Sequence, residues 1–266
     1  MASIFVKAVR DRRRMLLWWA LGMLGTAFML ASFYPTIRAT GDDLNTYIEN
    51  LPEAIRALVL AGGGDFTSGP GYLNSELFSF MLPVLVLIFS VGVGAGVLAG
   101  EEREGRLELV VASPVSRRRV VLHKLAAVLA GMVALGVVLW AALAAGVEIW
   151  EIPVEHANVA AAVLMGVLLG WVFGALALAV GAATGRRGMA IGVPAAFGVA
   201  TFFVNGLAPL SSVLEAWRPL TPFYYYNALE PIRNGLDPAH TLVLVALTAI
   251  LGIAAVLSFE RRDLTT

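Results

Sequence analysis

Cysteine is absent from this 266-residue sequence, which removes disulfides, thiolate nucleophiles and thiolate metal sites together. Histidine is nearly as scarce. The three present, His123, His156 and His240, are far apart and show no ligand spacing of the H-E-x-x-H kind, so a histidine metal centre has no support. Charged residues make up only 14% of the chain and the formal net charge is zero. With no overall basic field, the sequence gives no reason to expect nucleic acid as a partner. The glycine-rich run GGGDFTSGPG, Gly62 to Gly71, lacks the G-x-x-x-x-G-K-[ST] spacing that cradles a phosphate, and no other stretch supplies it.

What is abundant is hydrocarbon. Hydrophobic residues reach 59% and the mean hydropathy is +0.80, against the roughly 45–50% apolar usage of soluble domains. Crossing about 30 Å of hydrocarbon takes about 20 mostly apolar residues. Six windows qualify, at 15–34, 77–99, 125–147, 159–183, 189–210 and 241–259, none with a Lys, Arg, Asp or Glu near its middle. The first exceeds a signal-peptide core of about 7–15 residues and has no convincing small-residue cleavage site after it, so it is expected to be an uncleaved anchor.

Basic residues orient the spans. One side of the bilayer receives Lys7, Arg10, Arg12, Arg13 and Arg14, then Arg103, Arg106, Arg117, Arg118, Arg119 and Lys124, then Arg186 and Arg187, and finally Arg261 and Arg262: fifteen of the nineteen Lys and Arg. Positive charge stays inside, which predicts both termini in the cytoplasm. The fold expected over 1–266 is therefore a single all-α, six-span membrane domain.

Outside the spans, Ile4, Phe5, Ala8 and Val9 fall on one helical face and Lys7, Arg10 and Arg14 on the other, predicting an interfacial N-terminal helix. Between spans one and two, Asp43 to Leu60 has helical spacing, with Leu44, Ile48, Leu51, Ile55 and Leu58 inward despite Pro52; Gly62 to Gly71 reads as a loop. Before span six, Pro219, Pro222, Pro231 and the aromatics Trp217, Phe223, Tyr224, Tyr225 and Tyr226 predict short helices at the outer interface. Gly92, Gly96 and Gly100 in span two, and Gly166, Gly170 and Gly174 in span four, repeat at the interval of four that lets helices approach closely.

The densest charge lies in EEREGRLELVVASPVSRRRVVLHK, Glu101 to Lys124, where ten ionisable residues besides His123 fall in twenty-four positions. Its first half, Glu101 to Ala112, has helical spacing: Glu102 and Arg106 form an i,i+4 pair, and Leu107, Val110 and Val111 line one side. Ser113 and Pro114 interrupt it, and Ser116 is placed to cap a helix opening at Arg117. Anionic lipid or topogenic charge accounts for Arg117 to Arg119. Neither accounts for Glu101, Glu102, Glu104 and Glu108, which an anionic surface would repel. Such a helix, held between two spans, suits the docking of a soluble partner.

On Glu101, Glu102, Gly105, Leu107, Glu108, Ser113, Pro114, Val115, Ser116, Arg117 and Lys124, following a glycine-rich second span, the chain resembles the permease subunit of ABC-2-type transporters. The resemblance implies a half-transporter that pairs with a second permease, identical or paralogous, and with two copies of a cytoplasmic ATP-binding subunit. ATP and Mg would be bound by that subunit, with no cofactor on this chain. It also implies that the loop after span two is the coupling helix, with Glu101, Glu102, Arg103, Glu104, Arg106, Leu107, Glu108 and Val111 as the ATPase-coupling residues. The chain would then be no enzyme by itself, and would export a hydrophobic or amphipathic cargo, such as a drug, antibiotic, lipid or glycan, across a prokaryotic plasma membrane. In span five, Phe202, Phe203 and Asn205 are candidates for the substrate path, although an Asn bonding a neighbouring helix fits equally. A secondary transporter or channel would place charges or helix breaks near the midplane, and an intramembrane enzyme would need a paired ionisable constellation. Pro83, Pro194 and the isolated Glu76 are the nearest features to these.

Overall fold

A computed structural model describes residues 2–52, 55, 66–103, 105 and 116–262. Among them every regular element is helical. Helix α1 (Ala2–Asp11) is followed by α2 (Arg13–Glu49), which runs through Pro35 and kinks at Gly41. Helix α3 (Gly69–Arg103) is span two, and α4 (Arg117–Ile149), α5 (His156–Thr184) and α6 (Arg187–Leu207) are spans three to five. Short helices α7 (Ser212–Trp217), α8 (Pro222–Asn227) and α9 (Pro231–Asn234) precede span six, α10 (Pro238–Arg261). Six helices are long and apolar enough to cross a membrane, and each contains one of the six expected windows once α6 is counted with the 3-10 turn Ala208–Leu210 that extends it.

Helix α5 is the centre of the bundle. It packs against α3, α4, α6 and α10, and 78% of its most apolar stretch is buried, against 22% for α2 and α6 at the periphery. Its composition explains the position. At Gly166, Gly170 and Gly174 an added Cβ would lie 2.8 Å from Leu82 Cδ2, 2.5 Å from Met132 Cε and 2.8 Å from Val128 Cγ1, so neighbouring side chains fill the space the glycines leave.

The corresponding stripe in span two is not the face that packs within this chain. Gly92 has no atom within 4 Å of its Cβ position, and Gly96 and Gly100 meet only ordinary or distant contacts. The close approach is made by Gly94, whose Cβ would lie 2.4 Å from the Gly174 carbonyl oxygen and 3.0 Å from Ala177 Cβ. Within the chain, α3 is therefore approached about half a turn away from the Gly92–Gly96–Gly100 stripe.

Helix α3 is irregular at both ends. Ser68 caps it, its Oγ accepting from Gly71 N–H at 3.2 Å, and Pro70 occupies the first turn. Gly69 to Gly71 are thus helix and not loop, which starts span two eight residues before Leu77. Wider π-helical turns follow over Asn74–Met81 and Gly96–Gly100, the second leading straight into Glu101. Between spans one and two, helix continues past the Gly41 kink to Glu49, in agreement with the first part of the expected Asp43 to Leu60 helix; most of the remainder lies outside the described residues. Helix α1 packs on α4, with Phe5 half-buried and Lys7 and Arg10 exposed.

Replacing Gly94 with Ala is expected to destabilise the bundle by about 1–3 kcal/mol through overpacking against a backbone that cannot move aside. Gly92→Ala is expected to be neutral. Thermal unfolding of the two purified variants side by side checks the assignment.

Candidate functional site

The charged end of the bundle carries a network of ions built from four spans. At the end of α3, Glu101 places both carboxylate oxygens 2.5 Å from Lys124 Nζ, two turns into α4. The Lys124 side chain is 5% exposed and that of Glu101 13%, so this is an internal ion pair. The next residue, Glu102, pairs with the Arg262 guanidinium just beyond α10. Arg262 also donates from Nη1 to the carbonyls of Gly181 (3.2 Å) and Ala182 (3.0 Å) in the last turn of α5. Arg117, at the start of α4, donates to the carbonyls of Phe259 (3.3 Å) and Arg262 (2.5 Å) and lies over the Phe259 ring.

Each contact has a local cause. A helix ends with carbonyls that lack intrahelical partners and a partial negative charge, so a guanidinium is favoured there. Gly185 ends α5 with φ +66, and its missing side chain leaves room for Arg262: a Cβ would lie 2.9 Å from both Nη atoms. Lys124 follows Arg117 by two turns, so α4 carries both cations on its inner side. Ser116 stands at the N-cap of α4 in extended backbone, as expected, but its side chain makes no capping bond. Among the described residues Glu102 Oε2 and Arg187 Nε are buried without a hydrogen bond.

Of the eight residues expected to couple to an ATPase, Glu101 and Glu102 are occupied within the chain, and Arg103 is exposed. Glu104, Arg106, Leu107, Glu108 and Val111 lie outside the described residues. Lys124, Arg117 and Arg262 were grouped in the sequence with inside-positive charges. Only Lys124 carried a signal of anything else, because it is flanked by Leu122, Leu125 and Ala126 where a solvated lysine is out of place.

At the opposite end, α8 is clamped onto the first π-helical turn of α3. Tyr226 donates to the Phe78 carbonyl at 2.7 Å and Asn227 Nδ2 to Asn74 Oδ1 at 3.0 Å. Complete burial pushes the Tyr226 hydroxyl far above its usual range, so it remains a donor. Asn205 is likewise paired: its Oδ1 accepts from Arg218 Nε at 3.2 Å, and Arg218 lies over Tyr224. Phe202 meets Phe80, Phe203 and Phe223 edge-on, while Phe203 is exposed. Between these groups is a cavity of about 40 Å³ lined by Ser79, Phe202, Asn205, Arg218, Tyr226 and Asn227. Ser79 Oγ faces no partner among the described residues, and the space suits about one water.

A sequence model described as "ABC-2 family transporter protein" matches residues 2–264, nearly the whole chain. The chain belongs to the ABC-2 transporter family. It is therefore a multi-pass transport protein of ABC type, as the loop motif implied. Among curated proteins, none matches it. Family membership gives the charged end of this ABC-2 protein its significance, because the ion network forms the base of the loop that carries the family motif.

Three substitutions test the network and the clamp. Lys124→Met is expected to cost about 3–5 kcal/mol, since it strands a buried carboxylate, and Glu101→Gln in the same chain is expected to recover most of the loss. Denaturant unfolding of single and double variants gives the comparison. Tyr226→Phe removes a buried donor from the Phe78 carbonyl and is expected to cost about 1–3 kcal/mol by the same measurement.

Proposed function

We propose that this ABC-2 protein is the membrane-spanning permease of an ATP-driven exporter, working with two copies of a cytoplasmic ATP-binding subunit and with a second permease. The chain contains no phosphate-binding P-loop sequence, so ATP and Mg belong to the ATP-binding subunit. The setting is the plasma membrane of a prokaryote, with both termini and the Glu101 to Lys124 loop in the cytoplasm. The cargo is hydrophobic or amphipathic.

The observation that supports this reading best is the way the loop is rooted. Glu101 ties its beginning to α4, Glu102 ties it to α10 and the end of α5, and Arg117 ties its far end to α10. Force applied to such a loop is delivered to spans two, three, four and six together. A motion at an ATPase surface needs this rigidity if it is to bias packed helices between two arrangements. Glu101 and Glu102 then act as positioning residues, and the docking surface is formed by residues further along, Glu104, Arg106, Leu107, Glu108 and Val111.

Helices α2 and α6 leave broad apolar faces uncovered, including Trp18 (74% exposed), Leu17 and Leu21 on α2 and Val199 and Phe203 on α6. The second permease covers part of these faces and lipid the rest. Spans one, two and five of the two copies line the path, with Phe202, Phe203 and Asn205 at its outer end. Opening it there requires the Arg218–Asn205 bond and the Tyr226 clamp to give way.

Separate sets of substitutions distinguish docking from rooting. Glu104→Lys with Glu108→Lys is expected to lower cargo-stimulated ATPase activity of the assembled complex by about fivefold or more while the permease keeps its own unfolding temperature. Glu102→Gln is expected to lower both. Unchanged ATPase activity in the Glu104/Glu108 variant would remove the loop as the coupling element.

A further inference from the structure

A cavity of about 520 Å³ lies at the end of the bundle opposite the ion network, between α2 just before its kink and the C-terminal end of α4. Its volume falls within the about 300–1,000 Å³ of small-molecule sites. Its floor is closed where α2 and α4 touch: a Cβ on Gly146 would lie 2.8 Å from Ala31 Cβ, and Phe28 meets the Trp150 ring edge-on at 5.7 Å. Tyr34, Pro35, Ile149 and Trp150 form its walls.

Two charged residues line it, Arg38 from α2 and Glu151 from the residue after Trp150. Among the described residues they make no ion pair with each other, and neither has a hydrogen-bond or ion-pair partner elsewhere. Glu151 is held at φ 50, a conformation rare for a residue with a side chain, between Trp150 N–H bonded to Gly146 and Ile152 N–H bonded to Val147. The cavity is thus neutral overall but dipolar, with a cation on one wall and an anion on the other.

Tyr and Trp side chains concentrate at the depth of lipid headgroups, which places this cavity at the membrane surface. A ligand that satisfies both walls needs an anionic and a cationic group joined over a short distance, with an apolar tail leaving toward Ile149. We propose that this groove binds the zwitterionic headgroup of a phospholipid, its phosphate on Arg38 and its ammonium between Glu151 and the Trp150 ring. Guanidinium forms paired hydrogen bonds with phosphate oxygens, and an ammonium is attracted both to a carboxylate and to the face of an indole. An anionic lipid satisfies Arg38 alone and is repelled by Glu151. The site requires only that the chain be embedded in a bilayer and is independent of coupling to an ATPase, so its failure leaves the transport reading untouched.

The experiment is a titration of the purified chain in detergent with dihexanoyl phosphatidylethanolamine, dihexanoyl phosphatidylglycerol, or inorganic phosphate with free ethanolamine, followed by the rise in unfolding temperature that a native-state ligand produces. Phosphatidylethanolamine is expected to bind about tenfold or more tightly than phosphatidylglycerol, and the free components to produce no shift. Arg38→Gln is expected to weaken both lipids, Arg38→Lys to retain most of the binding, and Glu151→Gln to abolish the preference between them. Both side chains are exposed, and the unfolding temperature without lipid reports whether each variant is folded. Equal affinity of the native chain for the two lipids, an unaltered preference in Glu151→Gln, or a shift produced by free phosphate and ethanolamine would each overturn the proposal.

Discussion

A charge withdrawn from water has to be neutralised where it lies, and the charged end of this bundle is organised around that requirement. Lys124 is nearly completely buried in α4, and the only economical answer is a carboxylate brought to it by another helix. Glu101 supplies it, which fixes where α3 must end relative to α4. Once α3 ends there, Glu102 points toward α10 and the last carbonyls of α5, and Arg262 satisfies carboxylate and carbonyls with one guanidinium. Packing by small residues does the rest. Gly174 of α5 and Gly94 of α3 bring those two helices into backbone contact, so the position of the loop base is set by hard surfaces as well as by charge.

The two ends of α3 differ from its middle in the same way. Each has a π-helical turn, and each such turn is where another element takes hold: α8 at Asn74–Met81, the ion network just after Gly96–Gly100. Wide turns cost hydrogen-bond quality and are retained where a carbonyl or side chain has to be re-aimed. Phe78 offers its carbonyl to Tyr226 from within one of them. Helix α3 is thus regular over Leu82–Ala95, where most of its packing on α5 lies, and irregular where it is gripped.

The six spans were legible because each is a run of apolar residues long enough to cross a bilayer, and that signal does not depend on neighbours. The short helices before α10 were legible from proline and aromatic content. The start of α3 was misplaced although Ser68-Gly69-Pro70 has the chemistry of a helix start, because three preceding glycines dominated the impression of a loop. The glycines of span four pack within the chain as their interval suggested, whereas in span two the close contact within the chain is made by Gly94, which the interval of four passes over. Of the site, the loop motif was plain, yet the ion pairs that Glu101 and Glu102 make within the chain were not. Their acidity stood out as unexplained by a lipid surface, and docking to a partner accounted for it; the cations that occupy them had already been explained by topology. Asn205 had been weighed as path-lining or as a helix-bonding amide, and the Arg218 contact is of the second kind.

The separations along the chain give the ion network a temporal meaning. Glu101 finds Lys124 after 23 residues, but Glu102 has to wait for Arg262, 160 residues later, and Arg117 for the same segment, 145 residues later. During synthesis the chain emerges from its N-terminus onward and each span enters the membrane in turn. Glu102 therefore has no guanidinium to meet until the sixth span has been delivered. The loop base is fully tied only in a chain whose last helix has been inserted, so a nascent permease with five spans in place holds its motif by the Glu101–Lys124 pair alone.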